Sequence, residues 1–360
     1  MIKMENEETI QQKTRFDIAA ALREFGVARI IILAFLLLLF VLALAKGLDV
    51  PGLITDSLVR VGMNGVLILA MLPSVVCGVG MNFGLPLGIL AGLLGGILSI
   101  NMNIAGWAGF FVALAIAVPI AIVVGVLYHM VLDKVRGQEM MVGTYLAYAA
   151  VFGMCICWML FPIKNPKLIF AVWGKGLRYT ISLTDTFGKV LNNFLKFRIG
   201  GITVPTGLIL FWFLLCLLMY LFLRSKTGLA MKATGSNPVY AMSSGVNVAG
   251  MKRVGVVLST VLGAVGIIAF AQSYGFLQLY NAPQTAAFPA IAAILIGGAS
   301  LRKASVANVI IGAFLFQTLL TVALPVTQAM LESTEISEIA RVLISNGMIL
   351  YALTRATGGR

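Results

Sequence analysis

Hydrophobic positions run from Val61 to Leu132 with no Asp, Glu, Lys or Arg among them. A helix that crosses a bilayer needs roughly 20 apolar residues, so this stretch has room for three spans joined by tight turns. Pattern and punctuation predict further spans on both sides of it. The expected set is Ile30–Ala45, Val61–Ser74, Val79–Ile100, Ile104–Val131, Met140–Phe161, Gly207–Leu223, Val254–Gln272, Ala286–Leu301, Ser305–Ala323 and Ile336–Leu353. The fold class predicted is all-α, a polytopic membrane protein of about ten transmembrane helices. Residues 1–29 carry both charge signs and form a cytosolic N-terminal segment retained ahead of the first span rather than a cleaved signal. Residues 30–355 form the transmembrane domain and 356–360 a short tail.

The run from Met81 to Pro86 departs from the apolar pattern, because it places Asn82, Gly84 and Pro86 inside a span. Proline removes a backbone donor and disfavours helix in the residue before it. A broken or re-entrant element is therefore expected here, either as a packing kink or as the lining of a wet cavity, where irregular backbone is tolerated at membrane depth. The glycines clustered between Gly78 and Gly96 fit close helix packing.

Charge then orients the chain. With the N-terminus in the cytosol, Lys134 and Arg136, the loop Arg224–Arg253, Arg302 and Lys303, and the C-terminal arginines all fall on the cytosolic side, while Glu332, Glu335 and Glu338 fall outside. That is the distribution the positive-inside rule gives for an even number of spans. The segment Pro162–Thr206 lies outside against the rule, with seven basic residues and Asp185 as its one acid. Its mixture of aromatic and basic residues predicts amphipathic helix on the membrane surface.

Composition agrees: 60% of residues are apolar, 11% are charged and mean hydropathy is +1.01. The net charge of +13 sits mainly in short connections beside apolar spans, so it serves orientation and implies no nucleic-acid partner. Cys77, Cys155, Cys157 and Cys216 lie in apolar segments and read as small core residues, with no metal site expected. The one histidine, His129, stands near the cytosolic end of its span and reads as interfacial. No nucleophile motif, metal-ligand motif or phosphate loop occurs, so no catalytic residue and no cofactor are expected. Span centres also lack the ionisable residues that mark ion-coupled carriers, which places the energy source in another polypeptide.

Within the loop Arg224–Arg253, Asn237 can cap a helix, Pro238 suits its first position and Gly245 can end it. The pattern of Ala233, Gly235, Asn237, Ala241, Ser244, Gly245, Val246 and Val248 resembles the cytoplasmic coupling segment of membrane subunits of ABC importers in the ribose, simple-sugar and branched-chain amino-acid permease family. Ile291–Leu301 resembles the family's I-A-A-x-x-L-G-G-x-S-L element. The chain departs from sugar permeases at Arg302-Lys303-Ala304, where glycines are usual, and at Asn82-Phe83-Gly84, where Asp-Leu-Ser is usual. The resemblance implies cytosolic ATPase subunits, an extracytoplasmic solute-binding protein, a second permease subunit and location in the cytoplasmic membrane of a prokaryote. It makes Gly235, Asn237, Pro238, Ala241, Ser244 and Gly245 the ATPase-coupling residues.

Uncharged spans suit a small neutral solute, a sugar first and a nucleoside next. A bilayer-buried amide is costly without partners, so Asn64, Asn82, Gln272 and Gln317 are expected to line the substrate path, with Phe83 as a stacking surface. A channel or an ion-coupled secondary carrier is the alternative class; a membrane enzyme would need a catalytic constellation that the sequence lacks.

Overall fold

The computed structural model describes residues 27–331 apart from 136, 164 and 170–175, together with isolated residues beyond 338. Helices dominate. In chain order they are α1 Val27–Ala45, α2 Val50–Leu69, α3 Met71–Val76, α4 Leu85–Asn101, α5 Gly106–Lys134 and α6 Glu139–Leu160. After the four-residue α7, Val190–Asn193, come α8 Thr206–Arg224, α9 Lys226–Ser236, α10 Pro238–Ser243, α11 Val248–Tyr274, α12 Ala282–Thr285, α13 Ala287–Ile296 and α14 Val306–Leu331.

Among the described residues six segments are long and apolar enough to cross a membrane: Val50–Val76, Gly106–Lys134, Glu139–Leu160, Thr206–Arg224, Val248–Tyr274 and Val306–Met330. Arg29–Ala45, Leu85–Asn101 and Ala282–Ile296 are apolar but shorter. Ten full spans are thus not what the structure describes. Two expected spans are cut short, one by the irregular residues 77–84 before α4 and the other by the turn at Gly297 after α13. The span expected at Ile336–Leu353 lies for the most part outside the described residues.

The helices are sorted by burial. Most residues of α2–α3 and α11 are buried, whereas most of α5 and α6 are not, so the first pair forms the middle of the bundle. Almost every residue of α4 is buried as well. A helix can be apolar all round and still be outermost only if its other face meets lipid, which accounts for exposed Phe111, Val123, Phe152 and Ile156. Close approach in the middle depends on small residues. A Cβ at Gly88 or Gly92 would strike backbone carbonyls of α11, and one at Gly95 the carbonyl of Ala113 in α5.

Four strands of three residues each occupy the end of the bundle where α11 stops. β1, Thr180–Ser182, pairs antiparallel with β4, Phe276–Gln278, while β2, Phe197–Ile199, forms a hairpin with β3, Ile202–Val204. Among the described residues of 162–206 there are short strands, turns and the four-residue α7 in place of the expected amphipathic surface helix, and the fold as a whole remains mostly helical, consistent with an all-α polytopic membrane protein. Gly200 and Gly201, with φ of +53° and +89°, make the tight reversal that a helix cannot contain. Phe194, Leu195, Phe197 and Ile199 stay exposed on this hairpin. Cys77 and Cys216 are buried as expected, but Cys157 is exposed on α6.

Candidate functional site

Residues 77–84 start from a proline. Pro73 lies in the first turn of α3, and the chain leaves that helix through bonds from Cys77 N to Pro73 O and from Val79 N to Ser74 O. Gly78 and Gly80, at φ +82° and +96°, then turn it through conformations that other residues adopt at a cost. Asn82 fixes the far side of the break. Its Nδ2 donates to Ser259 Oγ at 2.7 Å, and its Oδ1 accepts from Gly84 N at 2.9 Å and from Tyr128 Oη at 3.2 Å. Ser259 passes the link on by donating to Ala70 O at 2.6 Å, the carbonyl at the joint between α2 and α3. One buried amide thus ties the break to α5, to α11 and to the α2–α3 joint.

The segment 225–247 packs beneath this break. Ser225 caps α9 by accepting from Gly228 N at 3.2 Å. Gly235 in the last turn of α9 sits on the backbone: a Cβ there would collide with Val76 O and come within 3.0 Å of Gly78 N. Asn237 Oδ1 accepts from Tyr240 N at 3.0 Å and so caps α10, whose first residue is Pro238. The other end closes with Val246 N bonded to Ala241 O and Gly245 N bonded to Met242 O, and with Gly245 at φ +78°. This is the double hydrogen bond of a Schellman cap, which satisfies the last carbonyls of a helix. Asn247 then caps α11 by accepting from Gly250 N at 2.9 Å.

Of the residues expected to act together in this loop, Ala241 is the inward one, at 1% exposure. Ser244 and Gly245 are exposed at the turn. Between the caps, Val239, Tyr240 and Met242 are 68%, 68% and 57% exposed. A two-turn helix with fixed ends thus presents an apolar tip. The preceding helix α9 was not legible as a separate element, although Ser225 was the available cap signal.

The amides expected to share one path separate into two groups. Asn64 of α2 and Gln317 of α14 meet, with Asn64 Nδ2 donating to Gln317 Oε1 at 3.4 Å, and both line a cavity of about 130 Å³. Gln278 and Thr285, which sequence reasoning missed, line it too; the rest of the wall is apolar and no charged side chain contributes. Asn82 and Gln272 lie elsewhere and are engaged within the protein. Gln272, fully buried, accepts from Leu191 N and donates to Asn192 Oδ1 and Ala269 O, which pins α7 to the end of α11. Phe83 is half-buried and meets Phe288 edge to face at 5.9 Å. The double-glycine element closes a helix crossing: Gly297 O accepts from Asn308 Nδ2 at 2.7 Å, and a Cβ at Gly312 would strike Ala293 O.

A family model described as branched-chain amino acid transport system / permease component matches residues 58–353. The match covers most of the chain, which belongs to this family of ABC-type permeases for branched-chain amino acids and simple sugars. It is accordingly a multi-pass membrane protein and a transport subunit, and membership implies ATPase and solute-binding partners. Searches of curated proteins and of solved structures return no match.

Proposed function

We propose that this chain is the membrane subunit through which an ATP-driven importer moves a small neutral solute, a sugar first and a nucleoside next, across the cytoplasmic membrane of a prokaryote. The observation that carries this reading is the exposed apolar tip of α10, held rigid between the Asn237 cap and the Gly245 turn. Apolar side chains at that density on a polar loop mark a protein contact. In this reading α10 seats in a cytosolic ATPase, the segment 162–206 faces the solute-binding protein, and a second permease subunit completes the pore.

Force applied to α10 has a short route inward. The Gly235 contact passes it to Val76 and Gly78, and the break 77–84 passes it to the Asn82 network. Packed backbones of this kind transmit a rigid shift rather than absorb it. The cavity at Asn64 and Gln317 supplies the solute contacts. Amides and a hydroxyl can exchange hydrogen bonds with a sugar or a nucleobase edge, whereas a zwitterion brought there would find no countercharge.

The test is solute-stimulated ATP hydrolysis by the transporter in proteoliposomes, with ribose, uridine and leucine supplied in turn with the binding protein. Stimulation by a sugar or nucleoside is expected, and Asn64→Leu should raise the half-saturating concentration by about tenfold, the equivalent of one lost hydrogen bond in a dry site. Stimulation by leucine alone would overturn the neutral-solute reading.

A further inference from the structure

Between α7 and α8, at the end of the bundle away from α10, the chain passes through Phe194 and Leu195 into the β2–β3 hairpin. Leu195 has φ +51°, left-handed backbone that a residue with a Cβ adopts only at a cost. The strain turns an apolar side chain outward, at 59% exposure. Within the hairpin Phe197 pairs with Val204 and Ile199 with Ile202, and directly opposed residues share a face. Four apolar side chains therefore make up one face, on which Ile199 is 64% exposed, while Arg198 and Thr203 belong to the other. The hairpin is held in place: Thr203 N donates to Thr55 Oγ1 at 2.9 Å, and Gly207 N donates to Phe194 O at 3.0 Å.

Neighbouring helices show what covers this face. Trp107, in the first turn of α5, meets Phe194 edge to face at 5.2 Å and stacks on Phe111 at 5.9 Å. Phe111 lies on the lipid-facing side of α5, and α8, which begins just after β3, exposes Leu210, Phe213 and Leu214. The hairpin thus extends two lipid-exposed helix faces at the level where both spans end. Tryptophan is favoured at that level, where hydrocarbon gives way to headgroups. Charge fits it as well. Lys189, Lys196 and Arg198 are exposed, and no ion pair engages them among the described residues.

We propose that the β2–β3 hairpin is a surface anchor whose partner is anionic phospholipid of the outer leaflet: Leu195, Phe197 and Ile199 enter the acyl boundary beside Trp107, and Lys196 and Arg198 hold the charged headgroup. An apolar face at a membrane surface sinks about 5–10 Å into the boundary between headgroups and acyl chains. Phosphates then stand level with the hairpin, within reach of long basic side chains. A protein occupant would have to displace the lipid that already lies against Phe111 and Leu210, which favours the bilayer over the solute-binding protein on this face. The rest of the segment 162–206 stays open to that protein. Because α7 is bonded to Gln272 of α11 through Leu191 N and Asn192 Oδ1, an anchored hairpin holds the outer end of the central helix while α10 moves its inner end. The inference does not depend on the identity of the transported solute.

The experiment uses the purified full chain in lipid nanodiscs, with its own cysteines replaced and Ile199→Cys carrying a bimane fluorophore. Phosphatidylcholine brominated on its acyl chains should quench the label, and iodide in the water should quench it weakly. Quenching by iodide without quenching by brominated lipid would show a face open to water and free for a protein, and would overturn the proposal. Spin-labelled phosphatidylglycerol should quench at a concentration at least about fivefold lower than spin-labelled phosphatidylcholine, the preference that one basic residue at a membrane surface supplies. Lys196→Gln combined with Arg198→Gln should bring the two lipids to parity; both side chains are exposed, so the fold is spared. Equal quenching by the two lipids in the chain with Lys196 and Arg198 intact would overturn the headgroup assignment. Leu195→Gly relieves the left-handed backbone and removes the apolar side chain together. It should therefore leave thermal unfolding unharmed yet reduce quenching by brominated lipid at least about twofold, and unchanged quenching would count against the anchor.

Discussion

Replacing Gly235 by alanine sets two effects of opposite sign against each other. In a helix interior alanine is favoured over glycine by about 1 kcal/mol. Against that gain, the new Cβ collides with the Val76 carbonyl oxygen and stands 3.0 Å from Gly78 N. Both neighbours are backbone, so no rotamer change relieves the contact. Helix α9 must back away by on the order of 1 Å to restore ordinary packing, and overpacking of this kind costs about 1–3 kcal/mol. The clash wins, with a net loss of up to about 2 kcal/mol, and it acts on the contact that joins α9 to the break. The Gly235→Ala chain should therefore insert and bind ATPase, yet unfold at lower temperature and hydrolyse ATP with weakened dependence on solute. Gly245→Ala is the control, because its Cβ meets nothing within 4 Å and its cost is that of the φ +78° backbone alone. The assays are thermal unfolding in detergent and solute-stimulated hydrolysis in proteoliposomes. Gly235→Ala with unchanged unfolding and unchanged stimulation would refute the argument that this contact carries force.

Other outcomes follow from the same geometry. Gly245→Val places a β-branched residue in left-handed backbone at about 1–2 kcal/mol; it should reduce co-purification of ATPase with an inserted permease, whereas Lys232→Glu, at an exposed rim, should do less. Asn82→Ala strands the buried Gly84 N–H and the Tyr128 hydroxyl, so thermal unfolding should show a loss of about 2–5 kcal/mol, against about 1 kcal/mol for Tyr128→Phe, which removes one bond of the set. In a chain with its cysteines replaced, a cysteine at Thr184 should react with an impermeant reagent from outside intact cells and one at Ser236 should not; the reverse labelling would invert the proposed orientation.

Local chemistry was the readable part of this chain. The Asn82–Pro86 interruption announced the break before α4, because an amide, a glycine and a proline in an apolar run have few other uses. The α10 helix was readable for the same reason, since Asn237, Pro238 and Gly245 each act on their own neighbours. Helix α9 was hidden because glycines and threonines weaken its propensity and its stability comes from buried Met231 and the Gly235 seat. The β1–β4 pairing joins Thr180 to Gln278, a separation that no local pattern encodes, and three-residue strands are too short to show alternation. The amides could not be sorted from sequence either. Asn64, Asn82, Gln272 and Gln317 all need partners in an apolar surround, and only the packed structure tells those facing a cavity from those satisfied by the protein.

The central claim is that solute crosses this subunit by force delivered through α10 from an ATPase. The most direct measurement is uptake of labelled solute into proteoliposomes holding the purified transporter, with ATP on the α10 side, compared between the native chain and one with Val239, Tyr240 and Met242 all changed to Asp. Native uptake should require ATP and stop when ATPase is omitted, and the altered chain should insert but neither retain ATPase nor accumulate solute. Uptake that continued without ATPase, or that followed an ion gradient in the altered chain, would contradict the account.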